Sequence, residues 1–322
     1  MSRLTASLRP VLRAALLACI AAIGTTVGAA ARAQGSAPLR ISTGVAGGTY
    51  ATMLKDLAET CQGPVGAPIV GVAGSGAGES LDRLLNNEIA AAFVQTDLLH
   101  ARATTEDLGR VRALVALHPE PIHVLARRAS LKEGGVLGWG QRETVLRSLA
   151  DLGGRRVGAW GGAVATATLI RLQGEVDYRL SEFSGPDDAL AALRGGQVDA
   201  LVAVGGAPLA WLRGLDRDVQ LLPITEPLAT RLRQLYRPAR LTYANLGAQG
   251  LPTLATEAVL AVRDVRTPAA VTPLLRLRQC LTERIDTLRD TPGRHPAWAQ
   301  VEPQAVARRP RFDRTAPGEA SR

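Results

Sequence analysis

Three glycine-rich segments follow short apolar runs of the sequence. They are TGVAGGTY at 43–50, GSGAG at 74–78 and the pair Gly161-Gly162. Each precedes a stretch whose apolar residues have helical spacing, so each is expected at the amino end of a helix. Unpaired N–H groups at such an end bind anions, and glycine allows a ligand to approach the backbone closely. Together these segments predict a site for a small anion such as a carboxylate.

The same segments do not match the motifs of nucleotide-binding proteins or hydrolases. Residues 43–50 lack the Lys-Ser/Thr ending of a P-loop, and Glu79 stands where a dinucleotide fingerprint requires glycine. A G-x-S-x-G sequence, which marks a nucleophilic serine, does not occur. None of the histidines is paired at metal-ligand spacing, so each is expected to be a surface or satisfied polar group; they are His100, His118, His123 and His295. The sequence predicts a protein that is not an enzyme and uses neither metal nor cofactor.

Glu120 lies between two prolines, in the sequence PEP at 119–121. Proline restricts both its own backbone and that of the preceding residue, so a stiff crossover between lobes is predicted here. Two interpretations of the carboxylate remain open. Glu120 binds an amine of a ligand, or it is an exposed residue of a rigid connection.

Residues 1–33 have the composition of a secretory signal peptide. Arginines precede the apolar run at 14–23, and Ala31-Arg32-Ala33 fits an A-x-A cleavage site. The run is too short to span a bilayer. An alternative is lipid attachment at Cys19, within the sequence LLAC. Both interpretations predict export to the periplasm.

The excess of positive charge is concentrated at the two ends of the chain. The formal net charge is +9, but residues 1–33 contain four arginines and no acid, and residues 304–322 contain five arginines and two acids. About +2 remains for the rest of the chain, too little to predict a nucleic-acid-binding face. The Arg- and Pro-rich segment 306–322 is expected to be disordered.

Two cysteines remain after the leader, Cys61 and Cys280. In an oxidising compartment an even number of cysteines favours a disulfide. The alternative is a pair of buried free thiols that act as small apolar residues.

After the leader, strand patterns alternate with helix patterns in two successive series. Buried strands are predicted by nearly continuous apolar runs such as 89–94 and 199–204. Such alternation predicts an α/β fold with mostly parallel sheets, here in two lobes. The first lobe is assigned residues 34–120 and 262–305, and the second 121–261. Residues 128–147 contain four glycines and no clear periodicity, and are predicted to form a surface excursion.

Six segments, in this order, resemble the TAXI family of solute receptors of TRAP transporters. They are TGVAGGTY, AGSGAGESLDRLLNNEIAAAFVQTD, VRALVALHPEPIHVLARR, ADLGGRRVGAW, ALRGGQVDALVAVGGAP and LPTLATEAVLAVR, between Leu39 and Arg263. The resemblance implies a type II periplasmic-binding-protein fold, in which two lobes close over an organic acid or an amino acid such as glutamate or glutamine. It also implies delivery to a TRAP-type membrane permease. We expect a monomer. Alternatives are a receptor that signals to a sensor kinase, or an enzyme on the same scaffold.

The resemblance also implies which residues form the ligand pocket. The first-lobe wall is expected from Gly48, Thr49, Tyr50, Ser75, Gln95, Thr96 and Asp97. The second-lobe wall is expected from Trp160, Gly161, Gly162, Ala163, Val164, Gly205, Gly206 and Pro208.

The second-lobe loop departs from the family. The family usually has Gly-Ser-Gly-Thr where this chain has residues 161–164, so two hydroxyl groups are missing. Thr166 or Thr168 replaces them only if the helix begins at a different residue. Trp160 either covers an apolar part of the ligand or packs in the core.

Overall fold

The computed structural model describes residues 37–129, 131–133 and 142–304. The predicted signal peptide with its alternative lipid site at Cys19 lies outside the described residues, as do the predicted disordered tail and part of the predicted excursion. Within the described chain, no helix combines the length and apolarity needed to cross a membrane.

Strands and helices alternate along most of the described chain. The strands are β1 (Leu39–Gly44), β2 (Ile69–Ala73), β3 (Ala91–Gln95), β4 (Val111–Arg127), β5 (Leu131–Glu133), β6 (Arg142–Thr144), β7 (Arg156–Trp160), β8 (Arg179–Phe183), β9 (Ala200–Val204), β10 (Val219–Leu222), β11 (Arg237–Tyr243) and β12 (Ala248–Arg263). The helices are α1 (Thr49–Val65), α2 (Ala77–Leu85), α3 (Thr96–Arg102), α4 (Ala163–Gln173), α5 (Pro186–Arg194), α6 (Leu228–Leu232), α7 (Pro268–Glu283) and α8 (Ile285–Asp290). Short 3-10 helices cover Leu149–Leu152, Ala210–Gly214, Ala244–Leu246 and Pro296–Gln300.

The strands form two parallel groups joined by two long antiparallel strands. The order is β2-β1-β3-β12-β4-β9-β7-β8, with β10 beside β4 and β11 beside β12. Strand β1 runs parallel to β2 and β3, and β7 runs parallel to β8 and β9. Strands β4 and β12 are antiparallel to each other and to their outer neighbours β9 and β3. This arrangement confirms the predicted two-lobed α/β fold; we call the β1–β3 group the first lobe and the β7–β9 group the second.

Each lobe has its own buried cluster of apolar side chains. In the first lobe the buried face of α1 packs with β3 and α7, through residues such as Met53, Phe93 and Leu277. In the second lobe α4 packs on β7 and β9, through residues such as Val157 and Ile170. The exact lobe boundaries at 120/121 and 261/262 stay a prediction, because β4 and β12 each run through both lobes.

Strand β4 continues through both prolines of the PEP sequence. Pro119 pairs with Glu257 of β12 and Pro121 pairs with Ala255. Successive side chains of a strand point to opposite faces. His118 and Glu120 therefore lie on one face of β4, and the two prolines lie on the other.

Some elements were not predicted or differ in extent. The amphipathic pattern that begins at Thr267-Pro268 predicts one long helix through about Leu288, whereas the structure divides it at Arg284 into α7 and α8. Helix α3 and strand β11 were not predicted. Strand β11 alternates buried and exposed positions at the outer side of β12, and Pro238 together with Arg237 and Arg240 obscures a strand pattern in the sequence.

Cys61 of α1 and Cys280 of α7 form a disulfide, as predicted, with their Cα atoms 5.9 Å apart. Both residues are buried in the first-lobe cluster. The bond joins residues separated by 219 positions, so it links an early helix of the chain to a late one.

Replacement of both cysteines, Cys61→Ala with Cys280→Ala, should lower the free energy of unfolding by about 2–5 kcal/mol, because the cross-link restricts the unfolded chain. Urea unfolding of the double variant and of the oxidised wild type measures the difference. Peptide mapping without reductant should find the two cysteines linked. Equal unfolding free energies, or two free thiols in the mapped protein, would contradict this result.

A second prediction concerns His123, whose ring is buried on β4 and hydrogen-bonded to the Tyr243 hydroxyl at 2.9 Å. Burial lowers the pKa of His123 to about 4. The folded protein therefore binds this proton less readily than the unfolded chain, and stability falls as the pH drops from about 6.5 toward 4. Between pH 7 and 4.5 this one group should cost about 2 kcal/mol. In His123→Gln, the loss of unfolding free energy between pH 7 and 4.5 should be about 2 kcal/mol smaller than in the wild type. An equal loss in both proteins would mean that another group causes the acid sensitivity.

Candidate functional site

A cavity of about 170 Å³ lies between the two lobes. Its walls come from the loops that follow β1, β2, β7 and β9, together with the ends of β3 and β9 and a residue of β4. The lining residues are Thr43, Gly44, Val45, Gly48, Thr49, Tyr50, Ser75, Gly76, Ala77, Gln95, Glu120, Trp160, Gly161, Gly162, Ala163, Pro186, Ala203, Val204, Gly205, Leu209 and Trp211. The volume lies below the roughly 300 Å³ at which pockets for drug-sized ligands begin, so the space suits a small molecule.

Glycines lie at the contact between the two lobes beside the cavity. A Cβ atom added to Gly76 would lie 2.9 Å from the Cα of Gly161, and one added to Gly162 would lie 2.0 Å from Gln95 Oε1. Gly76 also has φ of 149°, a backbone conformation that other residues rarely adopt. Glycine at these positions therefore allows the backbones of the two lobes to meet across the cleft.

Three helices begin at the cavity wall. They are α1, α2 and α4, with Gly48, Gly76 and Gly162 as their N-caps, and no side chain caps any of the three. The first N–H groups of a helix have no partner within the helix and carry partial positive charge. At α4 the N–H groups of Val164 and Ala165 already donate to the carbonyls of Gly161 and Gly162 at 3.2 Å. The remaining backbone N–H groups at these three helix starts border the cavity from both lobes.

The floor of the cavity is a buried carboxylate. Glu120 is 2% exposed, and its Oε2 accepts hydrogen bonds from the Tyr50 hydroxyl at 2.8 Å and from Gln95 Nε2 at 2.9 Å. Burial first, and the Glu120 charge second, raise the pKa of Tyr50 well above its usual value. Tyr50 thus remains a neutral donor. Of the two interpretations of Glu120, the exposed residue of a rigid connection is wrong.

His118 lies beside this carboxylate, with Nε2 3.4 Å from Glu120 Oε1. Its side chain is fully buried, and neither ring nitrogen has a hydrogen-bond partner among the described residues. The expectation that every histidine is at the surface or satisfied is therefore wrong for His118. His123 is also buried, though its Nε2 is paired with Tyr243.

Two tryptophans form the apolar side of the cavity. The rings of Trp160 and Trp211 lie 5.6 Å apart at 64° to each other, in an edge-to-face arrangement. Trp160 lines the cavity and also packs against another buried cluster of the second lobe, which includes Leu201 and Leu212. The packing of Trp160 against a buried cluster is confirmed, and its contact with a ligand stays a prediction.

Several predicted pocket residues lie outside the cavity wall. Thr96 and Asp97 follow Gln95 at the start of α3 and face a separate contact between the lobes. The Asp97 carboxylate accepts hydrogen bonds from Thr166 of α4 at 2.6 Å and from the Tyr236 hydroxyl at 3.1 Å. Burial raises the pKa of Asp97 despite these bonds. Val164, Gly206 and Pro208 are likewise absent from the lining.

Three hydroxyl groups near the cavity, those of Ser75, Thr166 and Thr168, have hydrogen-bond partners within the protein. Helix α4 begins at Ala163, so Thr166 and Thr168 do not replace the missing hydroxyls: Thr166 binds Asp97, and Thr168 binds the Val164 carbonyl at 2.8 Å. The Ser75 hydroxyl donates to Glu79 Oε2 at 2.9 Å. Hydrogen bonds from the Ser75 backbone and side chain lower the pKa of Glu79.

The sequence patterns leave the role of Glu120 undecided and do not indicate five other lining residues, Pro186, Ala203, Val204, Leu209 and Trp211. Trp211 and Leu209 belong to an irregular segment after β9, where periodicity carries no information. Trp211 nevertheless stands out as one of four tryptophans in a chain that is only 3% aromatic. Among the described residues, no group of three or more His, Cys, Asp or Glu side chains is arranged to hold a metal ion.

Several solved structures are partly similar to this one. The ligand-binding core of GluR0 from Nostoc punctiforme, in complex with L-glutamate, is 13% identical, with a TM-score of 0.46 over 78% of this chain and 94% of that one. The alkanesulfonate-binding protein SsuA from Xanthomonas axonopodis pv. citri, bound to MOPS, is 20% identical, with a TM-score of 0.46 over 83% and 84%. A substrate-binding protein of an amino acid ABC transporter is 12% identical, with a TM-score of 0.48 over 79% and 97%.

The sequence also matches the model of a protein family. It is described as the NMT1-like family and matches residues 41–290. The matched range contains every residue of the cavity wall and both cysteines of the disulfide. The protein is a member of the NMT1-like family.

Proposed function

We propose that this protein is an exported receptor that captures a small carboxylate-bearing solute between its two lobes and delivers it to a TRAP-type membrane permease. The observation that carries the proposal is the interlobe cavity bordered by the uncapped amino ends of α1, α2 and α4. A carboxylate placed among these ends would accept backbone hydrogen bonds and interact favourably with the helix dipoles.

The volume of the cavity and its walls favour a small ligand that is fully enclosed over a polymer of which only one end is bound. About 170 Å³ is available, and glycines of the two lobes lie against one another at its border. Enclosure excludes water and strengthens the few polar contacts. Closure of the lobes would also create a surface that differs from that of the empty protein, which a permease can distinguish.

The chemistry of the wall favours binding over turnover. The Ser75 hydroxyl is held by Glu79, and the lowered pKa of Glu79 makes that carboxylate a weak base. Glu120 is already hydrogen-bonded by two neutral donors. A nucleophile activated by an adjacent base is therefore lacking among the described lining residues, and we assign the cavity to capture.

The permease and the periplasmic location belong to the proposal as well. Their support is the resemblance of six ordered segments to the TAXI receptors of TRAP transporters, and the signal-peptide composition of residues 1–33. The Cys61–Cys280 disulfide is typical of a protein that folds in an oxidising compartment. We propose that the receptor acts as a monomer.

A ligand that binds only the folded protein should raise Tm according to RT ln(1+[L]/Kd), which is about 2.7 kcal/mol at 100 times Kd. Thermal-shift measurements over amino acids and monocarboxylic and dicarboxylic acids should find at least one stabilising compound. Mass spectrometry of the natively purified protein checks the same point without a chosen panel. No stabilising compound together with no co-purifying small molecule would contradict the proposed function.

The glycine contact across the cleft can be tested by Gly162→Ala. The new methyl group would overlap Gln95 Oε1 from the other lobe and hold the lobes apart, so affinity for any ligand of the closed cleft should fall about 10-fold or more. Gly78→Ala is the matched control, because a Cβ there meets nothing within 4 Å and alanine suits a helix. Calorimetric titration with a compound that stabilises the wild type measures both variants. Equal affinity in Gly162→Ala and Gly78→Ala would mean that binding does not require this closure.

A further inference from the structure

Glu120 is a buried acid without a cationic partner in the cavity wall. None of the described lining residues is lysine, arginine or histidine. The two donors to Glu120 Oε2 are a phenol and an amide, both neutral. The nearest base, His118, lies 3.4 Å from Glu120 Oε1 and is not part of the cavity lining. Within the described part of the cavity no group offsets the buried carboxylate, so the cationic group of a ligand would be favoured here.

Two acceptor atoms at this position have spare capacity. The hydrogen bonds to Glu120 from the described residues both end on Oε2, which leaves Oε1 with only the His118 ring 3.4 Å away. Gln95 is 4% exposed, and its Oε1 has no hydrogen-bond partner among the described residues. The carboxylate accepts from Gln95 Nε2 and thereby fixes the amide orientation, so the other end of the amide is an acceptor.

The cavity wall offers both hydrogen-bond donors and acceptors, so a zwitterion, with one negative and one positive group, would fit it. Backbone donors lie at the amino ends of three helices, and Glu120 lies on the floor formed by β4. Gln95 Oε1 lies between them, beside Gly162 at the start of α4. The rings of Trp160 and Trp211 cover a side without charge. In a ligand with two carboxylates, the second carboxylate would lie near the buried negative charge of Glu120 or would have no hydrogen-bond partner.

We propose that the cavity selects a monocarboxylate that also carries an ammonium group, such as an α-amino acid with an uncharged side chain. Glu120 Oε1 and Gln95 Oε1 accept from the ammonium group, the helix amino ends bind the carboxylate, and Trp160 and Trp211 contact the side chain. This inference rests on the proposed function and narrows its ligand class; it disfavours dicarboxylates.

Matched ligand pairs test the ammonium contact on the wild-type protein. Each pair joins an L-amino acid to the 2-hydroxy acid that replaces its amine by a hydroxyl: leucine with 2-hydroxyisocaproate, phenylalanine with phenyllactate, and alanine with lactate. A hydrogen bond to a charged group contributes about 1.5–3 kcal/mol, so in a pair that binds, the amino acid should bind about 10- to 100-fold more tightly. Succinate and 2-oxoglutarate should produce no shift in Tm.

The Glu120→Gln variant keeps the shape of the side chain and removes its charge. Calorimetry should find the amino acid weakened at least 10-fold and the hydroxy acid weakened less, so that the preference within each pair shrinks. Gln95→Glu provides a second variant, in which added negative charge should weaken the hydroxy acid more than the amino acid. The matched ligand pairs still test the ammonium contact on the wild-type protein if neither variant folds.

The outcomes separate this inference from the proposed function. Equal affinity within every binding pair, or tighter binding of a dicarboxylate than of any amino acid, overturns the ammonium contact and leaves the receptor role standing. Failure of all amino acids and acids to bind, together with an empty native mass spectrum, overturns the receptor role and the ammonium contact with it.

Discussion

The close approach of two backbones across the interlobe cleft is the constraint on which the site depends. Gly76 of the first lobe and Gly161 of the second lie so near each other that a Cβ atom on Gly76 would be 2.9 Å from the Gly161 Cα. A methyl group on Gly162 would likewise overlap Gln95 of the first lobe. With larger residues at these positions, the lobes would stand apart and water would fill the space. The glycines therefore do more than permit turns, because they allow an enclosed cavity whose border consists of main-chain N–H groups.

The long strands β4 and β12 hold this arrangement in place. Each runs through both lobes, and β4 carries His118 and Glu120 on the face opposite Pro119 and Pro121. The carboxylate thus belongs to a strand that is paired on both sides, rather than to a flexible loop. Its position is set by the same backbone that joins the lobes, and Asp97 adds a second contact between them through Thr166 and Tyr236.

Much of the fold follows from local patterns in the sequence. Apolar runs followed by glycines predicted the strand-to-helix joints around Gly48, Gly76 and Gly162, and the even cysteine count predicted the Cys61–Cys280 bond. The burial of Glu120 did not follow, because two flanking prolines indicate a stiff backbone and do not indicate which face of the strand is enclosed. Thr96 and Asp97 directly follow a lining residue, yet a helix begins at Thr96 and turns them toward the other contact. Trp211 reaches the cavity wall only through tertiary packing, which no local sequence pattern indicates.

The central claim is that one small molecule lies between the lobes with its carboxylate on the helix amino ends and its ammonium group on Glu120. Crystals of natively purified protein soaked with the tightest-binding amino acid test this claim most directly. The account predicts electron density in the cavity, with a carboxylate oxygen within about 3 Å of a backbone nitrogen at the start of α1, α2 or α4 and the amine at a similar distance from Glu120. A ligand bound elsewhere, or one whose carboxylate lies against Glu120, would contradict it.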